Sequence, residues 1–380
     1  MKTKIIQIHS ASSSCSTKDY EEDIYNTAWN VQITNQIKKF LPNAEIECWA
    51  IEKEYEEERE KIYDGIKFRI FPANISIRHS MEISMPMINA LIREQNNAKK
   101  ENKRLIVHIH EHHTWQSYLI LLFLKKNNVR IISQHHGAKN AFKNLKKYKK
   151  LILVLPFLIL MEFLEKLLFK RIDVFYGGTP EEIDYLKKIA PNSLIRLQTM
   201  GIEEKYFKEI NKVYARKKLG LRINKKYFIF LGRIKTTKGI GELLTAMKKI
   251  KQNNVELLLI GGGPDYEMYK NYEIKGKITF LGPIYDERKL MYLSAADYLI
   301  LPSYTETCPV VIKEAVAKNL PVIVTDVGGV STMIKNGREG IIIKSHSSKE
   351  IFNAINKILR WKKKNIRRYA EKYRWKGIIE

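Results

Sequence analysis

YFIFLGRIKTTKGIGELLTAMKKI, Tyr227–Ile250, decides the fold. An unbroken apolar run ends at Leu231, as a strand buried on both faces does. Gly232, Arg233, Lys238 and Gly239 then occupy a turn, and from Ile240 to Lys251 the apolar residues recur at helical spacing. Strand, glycine-bearing turn and helix make one half of a βαβ unit. Glycine lets a backbone approach a ligand closely, the helix start offers free N–H groups, and two cations there can clamp a diphosphate. Ordinary turn glycines beside surface cations are the competing reading. The spacing is not that of a P-loop, which needs G-x-x-x-x-G-K-[ST].

The same alternation repeats outward in both directions. Toward the C-terminus come VELLLIGGG, KITFLG, DYLILPS, LPVIVTD and GIIIK, separated by helices near Asp265–Tyr272, Asp286–Ala295, Pro309–Lys318 and Lys349–Trp361. Toward the N-terminus, IIQIH, AEIECWAI, IKFRIF, RLIVHIH, VRIIS and IDVFYGG alternate with helical stretches, one opened by Thr179 and Pro180 and ended before Pro191. The expected fold is α/β, two Rossmann-like parallel-sheet domains facing a cleft, with ligands beyond the strand C-termini. The domains are expected at 1–200 and 222–361, joined by a charged linker at 201–221. A chain of 380 residues suits two cores better than one.

With 67 Lys and Arg against 41 Asp and Glu, the net charge of +26 favours an anionic partner: a phosphate-bearing ligand, nucleic acid or an acidic membrane surface. Three scattered cysteines without a C-x-x-C point to a reducing compartment, and the first apolar run is too short for a signal peptide. The basic cluster KNLKKYKK, Lys143–Lys150, precedes LILVLPFLILM, Leu151–Met161. That run is well short of the ~20 residues needed to span a bilayer. Lys143–Arg171 reads as a segment docking on an anionic membrane surface, with a core helix behind a solvated loop as the alternative.

SYTETCPVVIKEA, Ser303–Ala315, sets Glu306 and Glu314 on either side of Pro309. Ser303 and Glu306 have capping-box spacing. Pro309, however, would lie inside any helix begun at Tyr304, at a cost near ~3 kcal/mol, so the helix should start at Pro309. Glu306 then lies in the loop and Glu314 about 7.5 Å along the helix axis. A carboxylate on so apolar a helix needs a partner: Lys318 four residues on, or sugar hydroxyls. Gly261, Gly262 and Gly263 before Pro264 form a further close-approach turn. His108 and His110 share one strand face, but no carboxylate or cysteine spacing supports a metal site, and one or two histidines at strand ends are expected to face the cleft as hydrogen-bonding groups.

In combination these motifs resemble the retaining glycosyltransferases of family 4, of GT-B fold. Glu306 and Glu314 match that family's E-x-x-x-x-x-x-x-E motif, and Gly232, Arg233, Lys238, Gly239, the Gly-Gly-Gly-Pro turn, FLG at Phe280–Gly282 and NLPVIVTDVGG accompany it. The resemblance implies a retaining, metal-independent hexosyl transfer from a UDP- or GDP-sugar, as substrate rather than cofactor, to a membrane-associated glycan or lipid-linked acceptor. Arg233 and Lys238 would hold the diphosphate, Glu306 the donor-sugar hydroxyls and Glu314 the ribose. Gly232, Gly239, Gly262, Gly263 and Pro309 would approach the donor, and His136, with His135 as runner-up, would stand beside the transferred sugar. Residues 1–200 would bind the acceptor, and RYAEKYRWKGI within 362–380 would form a helix crossing back to the first domain. The implied location is cytoplasmic, peripheral on the inner face of the plasma membrane.

The polar loop HSASSSCSTKDYEED stands where the family often has Gly-Gly, which leaves the acceptor open. A nucleotide-sugar epimerase of the same fold fits the Arg233–Lys238 and Glu306–Glu314 pattern less well. Nucleic-acid binding has charge but no reading motif. A dinucleotide-dependent oxidoreductase would need G-x-G-x-x-G after the first strand, which is absent.

Overall fold

The computed structural model of the chain describes residues 2–9, 29–76, 82–126, 128–134, 155–197, 200–361 and 365–379. These form two compact units that divide between residues 199 and 200, with Ile379 grouped with the first unit.

The first unit holds an eight-stranded sheet built from β1 (Thr3–His9), β2 (Glu45–Glu52), β3 (Arg59–Tyr63), β4 (Ile66–Pro72), β7 (Arg104–His110), β8 (Val129–Gln134), β9 (Val174–Gly177) and β10 (Leu194–Leu197). Its order is β10-β9-β8-β7-β1-β2-β4-β3, parallel throughout except for β3, which runs antiparallel to β4. A small hairpin, β5 (Ile75–Ser76) with β6 (Glu82–Ile83), stands apart. The helices are α1 (Trp29–Phe40), α2 (Met85–Lys100), α3 (Trp115–Phe123), α4 (Leu155–Leu168) and α5 (Pro180–Ile189). Thr179 caps α5 as its sequence implies, accepting from the Glu182 N–H at 3.2 Å, with proline in the first turn. Trp49, Phe71, Val107, Ile109, Phe169 and Phe175 lie in the main core, and Cys48, Phe68 and Ile70, alternate residues of β2 and β4, lie in a second cluster.

In the second unit all six strands are parallel, in the order β13-β12-β11-β14-β15-β16. They are β11 (Lys226–Leu231), β12 (Val255–Ile260), β13 (Ile278–Gly282), β14 (Tyr298–Leu301), β15 (Val322–Thr325) and β16 (Gly340–Ile343). Between or beside them run α6 (Lys212–Lys218), α7 (Ile240–Lys249), α8 (Tyr266–Lys270), α9 (Asp286–Ala295), α10 (Val310–Ala317), α11 (Val330–Met333), α12 (Ser348–Leu359) and α13 (Trp375–Ile379). Chain order reverses between β11 and β14, so this sheet has its topological switch point there, where open α/β sheets hold ligands.

Two expected boundaries change. Residues 201–221, read as a linker, are built into the second unit: Tyr206 and Ala215 are buried, and Arg216 donates to the Ala295 carbonyl at 3.0 Å and to Asp297 at 2.6 Å. Lys212 reaches the other oxygen of Asp297 at 3.1 Å. Charges that turn inward hide an amphipathic pattern, which is why the stretch read as a connector. Residues 366–375, expected to cross to the first domain, also contribute to the second unit. Ile366, Ala370 and Tyr373 enter its core, and the Trp375 ring lies against Gly201, where an added Cβ would come within 2.5 Å of it. Among the described residues no helix is long and apolar enough to cross a membrane.

Candidate functional site

A pocket of about 510 Å³ lies in the second unit at the switch point. Its floor is the glycine turns that follow β11 and β12. Gly261, at φ 141°, lies so close to the preceding turn that a Cβ there would meet the Gly232 carbonyl oxygen at 1.9 Å. Only glycine lets these two turns pack back to back. Gly232 and Gly262 line the pocket with Arg233 and Lys238, whereas Gly239 and Gly263 are not among its lining residues. Gly263 packs instead on the Ile234 carbonyl, and Gly239, at φ 69°, turns the chain into α7. The Thr236 N–H and hydroxyl both donate to Asp265, at 2.6 and 2.7 Å, which pins the turn carrying the two cations.

Opposite stands the loop after β14. Lys238 Nζ lies 2.6 Å from Glu306 Oε1, and the Ser303 hydroxyl donates to the same oxygen at 2.6 Å. The Ser303–Glu306 contact exists, but in a loop: α10 begins at Val310 with Pro309 as its N-cap. Pro309, Val310 and Val311 line the pocket, so the positive end of α10, with N–H groups that lack intrahelical acceptors, belongs to it. The loop itself is tightly held. Tyr304 N–H donates to the Thr237 carbonyl at 2.8 Å, its ring stacks on His346 with centroids 3.6 Å apart, and Gly329 N–H donates to the Thr307 carbonyl at 2.8 Å. Gly328, at φ 56°, sits so near that a Cβ would meet the Glu306 carbonyl oxygen at 1.7 Å.

Glu314, 5% exposed, takes Lys289 as its partner, with Nζ 2.8 and 2.7 Å from the two carboxylate oxygens. Burial pushes the Tyr206 phenol up, and the neighbouring Glu314 carboxylate, to which it is hydrogen-bonded, adds to this. Lys318, the partner expected four residues on, donates to the Lys208 carbonyl at 2.6 Å, and burial together with Arg367 lowers it to about 8. Arg233 is exposed at the pocket lip with no ion pair among the described residues. The pocket therefore combines one uncommitted guanidinium, two ammonium–carboxylate pairs and a helix N-terminus.

Lys289 and Tyr285 also line the pocket, and no sequence motif marked them. Lys289 and Tyr285 follow FLGP at the start of α9, and position after a strand end was the available signal. His135, His136 and the basic cluster at 143–150 lie outside the described residues. His108, His110 and His112 of the first unit are interior groups. His110 Nε2 is 2.6 Å from Gln7 Oε1, His112 Nδ1 is 2.9 Å from the Ser133 hydroxyl, and burial lowers His108 to about 3. His113 Nδ1 lies 2.9 Å from Glu165, whose carboxylate also accepts from Tyr118 at 2.7 Å and from Tyr185. Burial raises the Glu165 pKa, but these three contacts outweigh it and hold the group low. Among the described residues no group of three or more His, Cys, Asp or Glu is placed to hold a metal ion.

Residues 212–375 match the family described as Glycosyl transferases group 1. A putative teichuronic acid biosynthesis glycosyltransferase, TuaC of Bacillus subtilis (strain 168), is 35% identical over 160 residues, covering 42% of this chain and 40% of that protein. The chain spans half or less of the length of the curated relatives it matches. Sucrose-phosphate synthase from Thermosynechococcus elongatus superposes with a TM-score of 0.71 at 21% identity, covering 100% of this chain and 96% of that one. Anabaena HepE in complex with UDP gives 0.69 at 14% identity, covering 100% and 97%. The fold, two Rossmann-like parallel-sheet domains, is that of GT-B glycosyltransferases.

Proposed function

We propose that this chain is a retaining glycosyltransferase that moves a hexosyl residue from a nucleotide-diphosphate sugar to a glycan or lipid-linked acceptor in cell-envelope polysaccharide or glycolipid synthesis. The observation that carries this reading is the composition of one pocket: Arg233 and Lys238 beside glycine turns, with the Glu306 carboxylate in the loop before α10 and the Glu314 carboxylate in its second turn. Cations suit a diphosphate and carboxylates suit hydroxyl pairs, and a nucleotide-sugar offers both. The match of residues 212–375 to group 1 glycosyl transferases supports the same reaction class. The UDP complex of a structural neighbour supports a uridine donor, with GDP-sugars as the other candidate.

In this reading the anomeric C–O bond to phosphate breaks, and the phosphate oxygen gains charge. Arg233, Lys238 and the α10 N-terminus stabilise that charge as it develops. The acceptor hydroxyl bonds to the same face of the anomeric carbon and gives its proton to the departing phosphate oxygen. Glu306, held by Lys238 and Ser303, accepts from the donor-sugar hydroxyls, and Glu314, held by Lys289, accepts from the ribose. His136 is assigned to contact with the transferred sugar. The reading assigns charge stabilisation to the basic pair and includes no metal cofactor.

Lys143–Arg171 docks the first unit on the anionic inner face of the plasma membrane. Phe163 and Leu167 on α4 support this, being 63% and 55% exposed beside Lys166 and Lys170. Single exposed apolar residues are common, but a pair on one turn of a helix among cations suits a headgroup region. Thermal-shift titration with UDP-, GDP- and ADP-sugars tests the donor assignment. One series should raise the Tm of the chain, and the Arg233→Ala/Lys238→Ala variant should lose that rise. Failure of all three to raise it overturns the reading.

A further inference from the structure

We propose a second anion-binding site in the first unit, separate from the pocket above, that takes a ligand bearing one or two phosphate groups. A cavity of about 360 Å³ opens at the N-terminal ends of β7 and β8. That volume lies within the ~300–1,000 Å³ usual for small-molecule sites. The strand N-termini form the sheet edge opposite the one where open parallel sheets place their main ligand, so the Rossmann arrangement does not account for this cavity.

Lys103, Arg104, Lys126 and Arg130 line it, against Asp173 as the one acidic lining residue among those described. Asp173 is already committed. One oxygen lies 3.1 Å from Arg130 and the other accepts the Ile131 N–H at 2.9 Å, so this carboxylate fixes Arg130 and offsets one of the four lining cations, leaving the cavity positive. Lys103 likewise leans toward Glu101 and Glu45, at 2.6 and 3.3 Å. Arg104 and Lys126 have no acidic partner among the described residues and are exposed. Parallel register sets Ile106 beside Arg130, and period-two alternation then puts Arg104 and Arg130 on one face of the sheet. Two guanidinium groups on one face repel each other, and a shared oxyanion removes that cost while accepting from both.

Asn102 and Asn128 complete the wall. Both hold positive φ, 50° and 65°, which sets the turns into β7 and β8, and their amides add neutral donors. Val129 is the one apolar residue among those lining the cavity, leaving no platform for a base or an acyl chain. Several donors, excess positive charge and little apolar surface select a compact phosphate group. It could be a soluble phosphate ester or the headgroup of a phospholipid.

The test uses the full chain carrying Arg233→Ala/Lys238→Ala, so that the other phosphate-binding candidate is disabled whether or not its assignment holds. Isothermal titration with sodium pyrophosphate at low ionic strength, and co-sedimentation with phosphatidylglycerol vesicles, are repeated after adding Arg104→Gln/Lys126→Gln. The site predicts at least about tenfold weaker binding in one arm, restored in the charge-preserving Arg104→Lys/Lys126→Arg variant. Loss of pyrophosphate binding assigns the site to a soluble phosphate ester, and loss of vesicle binding assigns it to a headgroup. Unchanged affinity in both arms, or loss that the charge-preserving variant fails to restore, overturns the proposal.

Discussion

Lys289 and Glu314 face each other at the edge of the pocket with the ammonium shared between both carboxylate oxygens, at 2.8 and 2.7 Å. This contact joins α9 to α10 and replaces the helical neighbour Lys318 as the partner of a buried acid. Removing the cation strands Glu314. Lys289→Ala should destabilise the chain by on the order of 3 kcal/mol in denaturant unfolding. Adding Glu314→Gln should recover part of that loss, because the uncompensated charge goes with it.

Arg233 is exposed and makes no ion pair among the described residues, so Arg233→Ala should leave stability within about 0.5 kcal/mol. Its effect should fall on the donor: one charge-assisted contact to a diphosphate is worth roughly 1.5–3 kcal/mol, or ten- to a hundredfold in affinity. Lys238→Ala should weaken the donor similarly and also loosen Glu306, lowering kcat as well as raising KM. Calorimetry with UDP and steady-state kinetics separate the two.

Gly328→Ala combines a φ of 56° with a contact of 1.7 Å to the Glu306 carbonyl. A substitution at such a site costs about 2 kcal/mol or more and must displace the Glu306 loop. Donor-sugar turnover should fall more than nucleotide binding does, since Arg233 and Glu314 stand on other elements. Comparing UDP affinity with kcat in this variant checks the order.

His108 gives the first unit an acid-sensitive element. Burial holds it at about 3, below the ordinary value of 6.5, so between these values the unfolded chain binds a proton that the folded chain does not. The stability contributed by neutral His108 is complete above about pH 6.5 and is lost as pH falls toward 3. His108→Gln should flatten that part of the stability–pH curve, measured by denaturant unfolding at pH 7, 5.5 and 4.

The second unit was legible because its strands are continuous apolar runs closed by glycine, and Pro309 alone was enough to set the start of α10 to within one residue. Less legible were elements whose stabilising contacts lie far off in sequence. β3 is exposed at every residue and pairs only along a sheet edge, so Arg59–Tyr63 shows no alternation. β10 is short and mostly exposed for the same reason. α6 hides because Arg216 turns inward to Asp297, 81 residues away. In the site, the residue types Arg233, Lys238, Glu306 and Glu314 could be read directly. The partner of Glu314 could not, since Lys289 reaches it through the packing of α9 beside α10 rather than through helical spacing.

The loop bearing Glu306 is sewn to the end of β15 by three separate stitches: the Gly328 approach, the Gly329 N–H to the Thr307 carbonyl, and the Thr325 hydroxyl on the Ser303 carbonyl at 2.5 Å. Segments 303–308 and 325–329 are therefore a single structural cassette. Grafting either one alone from a relative should break a seam, whereas exchanging both together transplants this wall of the pocket with its own backing.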